Sequence, residues 1–182
     1  MNRCKWVNEN NKLYIKYHDE EWGVPSYDDA YLFEMLLLES FQAGLSWECI
    51  LNKREAFRVA FDDFDYKKIA NYSDKKINEL LNSKDIIRNR LKINAAVNNA
   101  KVFINIQNDY KTFSNYIWSF TNNKQIVNKD DIFKTTSSLS DTISNDLKKR
   151  GMKFVGSTII YSYLQAIGII NDHELHCDFR NQ

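Results

Sequence analysis

Apolar positions along the chain recur at helical spacing and define most of the predicted elements. From Asp28, the stretch DDAYLFEMLLLESFQAGLSW carries apolar residues on nearly every face, and Gly44 follows its last turn. Asp28 or Asp29 is a suitable N-cap and glycine commonly ends a helix, so this stretch predicts a buried helix. A longer pattern over 84–109 places Ile, Val and Ala on one stripe at 3.6-residue spacing and predicts a second long helix.

Shorter helical patterns occupy much of the remaining chain. SWECILNKREAFRVAF, capped by Ser46, predicts one helix, DYKKIANY and SDKKINELLNS predict two more, and 110–120 predicts another. Residues 13–17, in an aromatic N-terminal arm, are a candidate short strand, and 122–138 has no period and predicts a loop. Sustained two-residue alternation is absent, so the predicted fold class is all-α.

The stretch LKKRGMKFVGST predicts a turn between two helices, a helix–hairpin–helix over about 139–168. Gly151 and Gly156 flank the turn, Ser157 or Thr158 is a suitable cap for the second helix, and Gly168 is placed to end it. A helix N-terminus surrounded by lysines is a site for anions, and an ordinary turn with solvated charges is the alternative. The predicted phosphate contacts are Lys149, Gly151, Lys153, Gly156 and Ser157.

Length, charge and cysteine count set broad limits on the number of domains, the partners and the location of the protein. The 182 residues suit one domain, or two closely packed helical lobes, and the formal charge of +1 means that nucleic-acid binding would need clustered rather than excess base. No apolar run approaches membrane-spanning length, so we expect a cytoplasmic monomer without membrane contact. Three cysteines cannot all pair, and metal binding or simple burial is favoured over a disulfide.

Glu39 is an anomaly within the buried helix. It shares one face with Leu32, Met35, Leu36 and Gln42 at three- and four-residue spacing. A carboxylate removed from water without partners is unfavourable and its pKa tends to rise. The residue therefore either reaches solvent or a neighbouring backbone group, or it faces a cleft that receives a polar or cationic ligand.

Cysteine and histidine residues at the two ends of the chain form a possible metal site. His173 and Cys177 are four residues apart, which is one helical turn, and the N-terminal arm supplies Cys4 and His18. Two thiolates and two imidazoles suit a closed, structural zinc site, whereas scattered core and surface residues are the alternative.

Several long motifs together resemble the bacterial DNA-3-methyladenine glycosylase I family of the helix–hairpin–helix DNA glycosylase superfamily. They run nearly end to end: RCKW, YHDEEWGVP, LFEMLLLES, QAGLSW, IIRNR, YIWSF, LKKRGMKFVGST and YSYLQAIGIINDH. The resemblance implies a helical bundle in which a structural zinc ion joins the N- and C-terminal regions. The metal ligands that it implies are Cys4, His18, His173 and Cys177.

The resemblance also implies an activity. Members of this family hydrolyse the N-glycosidic bond of 3-methyladenine in double-stranded DNA carrying alkylated bases, and they release the free base after flipping it out of the helix. Glu39 matches the pocket carboxylate of the family, and Asp172 is the alternative catalytic carboxylate. The aromatic lining of the base pocket is then Tyr14, Tyr17, Trp22 and Trp47, whose ring faces attract a cationic base.

Two departures from the wider superfamily concern the hairpin. The common Leu-Pro-Gly-x-Gly reads MKFVG here, which weakens phosphate binding in principle, and Ser157 and Thr158 stand where strand-nicking relatives carry a Schiff-base lysine. The chain is therefore expected to be a monofunctional glycosylase. Two other functions stay open: a non-catalytic module that binds damaged DNA, and a metalloenzyme whose ion activates water.

Overall fold

Ten α-helices form the computed structural model, which describes residues 1–130 and 132–181, so the predicted all-α class is confirmed. The helices are α1 Lys12–Glu20, α2 Asp29–Gln42, α3 Trp47–Asn52, α4 Arg54–Ala60, α5 Tyr66–Ile69, α6 Asp74–Asn82, α7 Arg90–Tyr110, α8 Phe113–Ser119, α9 Ser138–Lys149 and α10 Ser157–Ala166. A 3-10 turn at Asp62–Phe64 precedes α5, and two short parallel strands, β1 Ile126–Val127 and β2 Ile170–Asn171, pair with each other.

The helix α2 lies at the centre of the fold. Every residue from Leu32 to Phe41 is buried, and the helix contacts α3, α7, α8 and α10. The Asp28 side chain caps it by accepting from the Ala30 N–H, and Gly44 beyond its end has a φ of +79°, as the sequence predicted. A helix buried on all sides leaves its one unpaired carboxylate no route to bulk water except through a cavity.

Two predictions in the N-terminal third are wrong. Residues 13–17 belong to α1 rather than to a strand, because the Asn11 side chain accepts from the Leu13 and Tyr14 N–H groups and starts a helix. The single helix predicted after Ser46 is divided at Lys53 into α3 and α4. Both helices contribute to the core, through Ile50 and Leu51 of α3 and Phe57 of α4.

The predicted loop over 122–138 contains β1, which runs parallel to β2. Its pairing rests on backbone bonds from the Ile126 N–H to Ile169 O at 2.8 Å and from the Asn128 N–H to Asn171 O at 3.0 Å. A two-residue strand is too short for any alternation to appear in the sequence. No helix in the described part of the chain is both long and apolar enough to cross a bilayer.

Candidate functional site

A cavity of about 210 Å³ opens beside the C-terminal half of α2. Its walls come from α1, α2, α3 and α10, and from segments that are far apart in the sequence. The cavity is lined by all five residues that were predicted to bind the base or to act on it. They are Tyr14, Tyr17, Trp22, Glu39 and Trp47.

Two groups of contacting aromatic rings line the cavity. The rings of Tyr17 and Trp47 are 5.2 Å apart at a 53° tilt, and Trp6 contacts both Tyr14, at 5.2 Å, and Trp22, at 4.8 Å. Trp6 was not assigned to the site from the sequence, although its place in an aromatic-rich arm was a usable signal. Such a wall attracts flat, electron-poor or cationic rings.

Glu39 is a buried acceptor without a partner. It is only 2% exposed, it makes no side-chain hydrogen bond within the described residues, and its Oε2 is buried and unpaired. Burial raises the pKa of this carboxyl well above its ordinary value. Both alternatives that would have satisfied it, bulk solvent and a backbone bond, are therefore excluded, and the carboxyl faces the cavity.

Trp47 adds an unpaired donor to the same cavity. Its indole Nε1 is buried without a hydrogen-bond partner among the described residues. An acceptor and a donor that both lack partners beside one cavity are expected where a ligand completes the hydrogen bonding.

Polar residues of α10 form another part of the cavity wall, and they were not assigned from the sequence. Thr158, Tyr161, Ser162 and Gln165 line the cavity, together with Gln42 and the segment Phe133–Thr135. Their three- and four-residue spacing along an otherwise apolar helix was the signal that could have identified them.

Asp172 lies in an adjoining cavity of about 70 Å³ rather than in the main one. Its Oδ2 accepts hydrogen bonds from the Tyr161 hydroxyl and from the Gln165 side chain, both at 2.6 Å, while its Oδ1 is buried and unpaired. Burial raises the pKa of this carboxyl as well. Through Tyr161 and Gln165 it supports the α10 wall of the main cavity.

The four predicted metal ligands converge behind the aromatic wall. One ligand atom from each of Cys4, His18, His173 and Cys177 lies within 4.8 Å of the others, and all four residues are buried. The prediction that His173 and Cys177 share a helical turn is wrong. The chain after β2 forms a series of turns, closed by a bond from the Cys177 N–H to Glu174 O at 2.9 Å.

Outer hydrogen bonds orient both imidazoles of this cluster. The His18 Nδ1 lies 2.7 Å from Asp19, which Arg3 holds in turn, and the His173 Nδ1 lies 2.9 Å from the Asn171 side chain. The His173 Nε2 is left buried without a partner. Burial raises the pKa of the Cys4 thiol to about 12 and lowers the pKa of His173 to about 4. Thiols and inward-facing imidazole nitrogens in this arrangement fit a divalent metal with tetrahedral preference.

The hairpin between α9 and α10 presents an uncapped helix N-terminus. Neither Ser157 nor Thr158 caps α10, contrary to the prediction. Gly156 is the N-cap residue and has no side chain to offer, while the Ser157 hydroxyl is bonded to Ser140 Oγ at 2.8 Å. The N–H groups of residues 156–159 therefore have no acceptor within the described chain.

Only some of the predicted phosphate contacts are available to bind an anion. Lys149 and Lys153 are exposed and unpaired, whereas Arg150 forms ion pairs with Asp146 and Asp109. The Gly151 N–H already bonds Lys148 O, and the Lys153 N–H bonds the Asn99 side chain. Because its N–H is already bonded, Gly151 contributes only the left-handed backbone of the turn, with φ at +102°. Lys153 can contact a phosphate through its ammonium group but not through its N–H.

Comparison with known proteins gives a consistent result over nearly the whole chain. The family model described as methyladenine glycosylase matches residues 6–181. The chain is 44% identical to DNA-3-methyladenine glycosylase 1 of Escherichia coli strain K12, over 97% of this chain and 96% of the relative. It is 43% identical to DNA-3-methyladenine glycosylase of Haemophilus influenzae strain Rd, over 96% of each.

A solved structure extends the similarity to the fold. It describes 3-methyladenine recognition by 3-methyladenine DNA glycosylase I from Staphylococcus aureus, and it superimposes with a TM-score of 0.95 at 36% identity. The superposition covers 100% of this chain and 98% of that structure.

Proposed function

The chain belongs to the methyladenine glycosylase family, and we propose that it hydrolyses the N-glycosidic bond of 3-methyladenine in alkylated DNA. It is a DNA glycosylase that acts in base repair. The observation that carries the proposal is an unpaired carboxyl, Glu39, buried in a cavity walled by aromatic rings.

The chemistry of the substrate explains this unusual environment. Methylation at N3 places a positive charge on adenine, so the base is already a good leaving group and an aromatic wall attracts it. The positive charge of the bound base lowers the pKa that burial raises, so Glu39 is ionised in the complex. Its carboxylate then accepts hydrogen bonds from the base edge and stabilises the positive charge electrostatically. Unmethylated adenine has no such charge. If it entered the cavity, the cost of keeping Glu39 ionised and buried would not be offset by attraction to a cation.

Because the base is already a good leaving group, hydrolysis then needs only a water molecule and correct positioning of the flipped nucleotide. As the glycosidic bond breaks, its electron pair leaves with the base, which becomes neutral, and the sugar takes on oxocarbenium character. Water adds to the anomeric carbon and loses a proton, so an abasic site remains. Ser157 and Thr158 stand where strand-nicking relatives carry a Schiff-base lysine, so strand cleavage through a Schiff base is not part of the proposed reaction.

The direct test is chromatography of the bases that the purified protein frees from methylated duplex DNA. We expect 3-methyladenine to be released without an added cofactor. Binding to methylated duplex without any release of base would instead identify a non-catalytic module that recognises damage. The chain is proposed to act in the cytoplasm. It is proposed to act as a monomer, because the cavity, the hairpin and the Cys/His cluster are each formed by described residues of one chain.

Glu39 is proposed as the catalytic residue, and Asp172→Asn distinguishes it from the alternative. The Asp172 carboxylate is held by Tyr161 and Gln165 outside the main cavity, so we expect the change to lower single-turnover release by roughly tenfold or less. Tyr161→Phe, which removes one of the same bonds, should have a similarly small effect. A loss as large as that of Glu39→Gln would transfer the catalytic role to Asp172.

The uncapped N-terminus of α10 and the exposed lysines beside it are proposed to bind a DNA phosphate. N–H groups at a helix N-terminus attract anions, and Gly156 admits close approach of the backbone. Lys149, Lys153 and Ser157 complete the proposed contacts with Gly151 at the turn.

Charge reversal tests this surface. We expect Lys149→Glu combined with Lys153→Glu to weaken binding to methylated and unmethylated duplex alike, because phosphate contacts position a protein without reading bases. The slope of log affinity against log salt should become shallower by about 2, since two counterions fewer are released. Lys67→Glu with Lys75→Glu, exposed on α5 and α6, is the matched control, and an equal change in slope there would refute the assignment.

The Cys/His cluster is proposed to hold one structural zinc ion. Cys4, His18, His173 and Cys177 supply four protein ligands, which leaves no coordination position for a catalytic water. The ion would join the N-terminal arm to the segment after β2. Its role is therefore to hold the aromatic wall in place, and hydrolysis proceeds in the cavity without it.

A further inference from the structure

Side chains of α7 form hydrogen bonds to the end of α2, beside the base-binding cavity, and to the hairpin that is proposed to bind DNA phosphate. At its N-terminal end, the Lys92 ammonium donates to Phe41 O at 2.8 Å and to Ala43 O at 2.6 Å. These are carbonyls at the C-terminus of α2, which lack partners within that helix. Lys92 is only 7% exposed, so the bonds are made in the protein interior.

Two turns further along, α7 forms hydrogen bonds to the backbone of the hairpin between α9 and α10. The Asn99 side chain pairs with the backbone of Lys153 in both directions, donating to its carbonyl at 2.9 Å and accepting from its N–H at 2.8 Å. Its neighbour Asn98 donates to Gly151 O at 2.8 Å. Asn99 is 4% exposed, so this pairing is also largely shielded from water.

Lys92 and Asn99 are seven residues apart and lie on one face of α7, about 10 Å along its axis. Lys92 holds the segment 41–46, which leads from Gln42 on the cavity wall to Trp47. Asn99 holds the segment 151–154, next to the uncapped start of α10. Helix α7 itself is 21 residues long and packs against α2, which makes it a rigid connection between the two.

We infer that α7 acts as a spacer, in which Lys92 at one end and Asn98 with Asn99 at the other are positioning residues. The spacer sets the distance between the cavity that receives the flipped base and the hairpin that holds the DNA backbone. This inference rests on the proposed function. The flipped base reaches Glu39 correctly only if the phosphates are held at a fixed distance from it, and an error of about 1 Å is costly in such reactions.

A spacer and a simple phosphate contact differ in one measurable respect. Weakening a phosphate contact lowers affinity, and saturating enzyme then restores the single-turnover rate. Misplacing the hairpin relative to the cavity lowers the rate even when all DNA is bound. The proposed experiment therefore measures single-turnover release of 3-methyladenine from methylated duplex over a range of enzyme concentrations, up to saturation.

We expect Asn99→Ala to lower the saturated rate by roughly tenfold or more, since the paired backbone bonds to Lys153 are lost. Lys92→Met, which breaks the other end, should lower the same rate. Lys153→Ala keeps both backbone bonds and removes only the ammonium group, so it should lower affinity and it measures the effect of losing a phosphate contact alone. Asn94→Ala is the matched control, because Asn94 is exposed on α7 and makes no side-chain bond within the described residues.

Binding of free 3-methyladenine, followed by tryptophan fluorescence, separates misplacement from misfolding. Asn99→Ala should bind the free base as tightly as the wild type, because the cavity does not include Asn99. If Asn99→Ala does not fold, Asn98→Ala removes the bond to Gly151 from a half-buried position and carries the same test. A wild-type saturated rate in Asn99→Ala, or in Lys92→Met, overturns the inference. Failure of the wild type to release any base would instead overturn the proposed function.

Discussion

Glu39→Gln is expected to lower release of 3-methyladenine by about a thousandfold and, at the same time, to stabilise the fold. The catalytic loss follows because a neutral amide cannot offset the charge of a cationic base in a cavity shielded from water. The gain in stability follows because the carboxyl is 2% exposed and unpaired, so its ionised form carries a desolvation cost that a neutral amide of the same shape avoids. Activity and melting temperature therefore change in opposite directions, as expected where function requires a destabilised group.

The pH dependence of stability gives an independent check on Glu39. Its pKa in the folded protein is raised well above the unfolded value, so the folded state binds more protons between those two values. The contribution of this group to stability is therefore most favourable below its unfolded pKa and declines as pH rises toward its folded pKa. We expect Glu39→Gln to remove that decline, and thus to stabilise the protein more at pH 8 than at pH 5.

Glu34→Gln is the matched control for these measurements. Glu34 is a buried glutamate on the same helix, but it accepts hydrogen bonds from Arg54 and Arg58, both at 2.7 Å. Removing its charge should destabilise the fold, because two half-buried arginines each lose one of their carboxylate partners, and it should leave release of base much closer to the wild-type rate. A Glu39→Gln protein with wild-type activity, or with a lower melting temperature than the wild type, would contradict the assignment.

Cys177→Ser is expected to lose the bound metal and to lower the melting temperature by about 10 °C or more. The loss is large because the cluster joins Cys4 and His18, near the start of the chain, to residues after β2. The same arm supplies Trp6, Tyr14 and Trp22 to the cavity, so release of 3-methyladenine should fall with the metal content. Limited proteolysis should then cleave the N-terminal arm first.

Cys49→Ser provides the comparison for the metal measurement. Cys49 is a free cysteine on α3, half-buried and not part of the cluster, so its replacement should leave metal content and proteolysis unchanged. Metal analysis of freshly purified protein would measure both variants against the wild type. Wild-type metal content in Cys177→Ser would exclude Cys177 as a ligand.

Local features of the chain were readable from the sequence because they depend on residues within one or two turns of each other. The Asp28 cap, the Gly44 stop and the buried character of α2 follow from three- and four-residue spacing and from backbone preferences. The Glu39 anomaly was visible for the same reason. The metal ligands, the aromatic lining and the activity, in contrast, were predicted through long motifs that resemble a family.

Contacts between distant segments were decided only by the tertiary structure. Local propensity placed a strand at 13–17 where the Asn11 cap forms α1, and it could not detect β1, whose partner β2 lies more than forty residues away. It assigned the cap of α10 to Ser157 or Thr158, whereas the Ser157 hydroxyl is bonded to Ser140 and Gly156 is the N-cap residue. It also missed Trp6 and the bonds from Lys92 and Asn99. Spacing along a chain specifies which face of a helix is apolar, but only packing of one helix against another determines which distant atoms meet there.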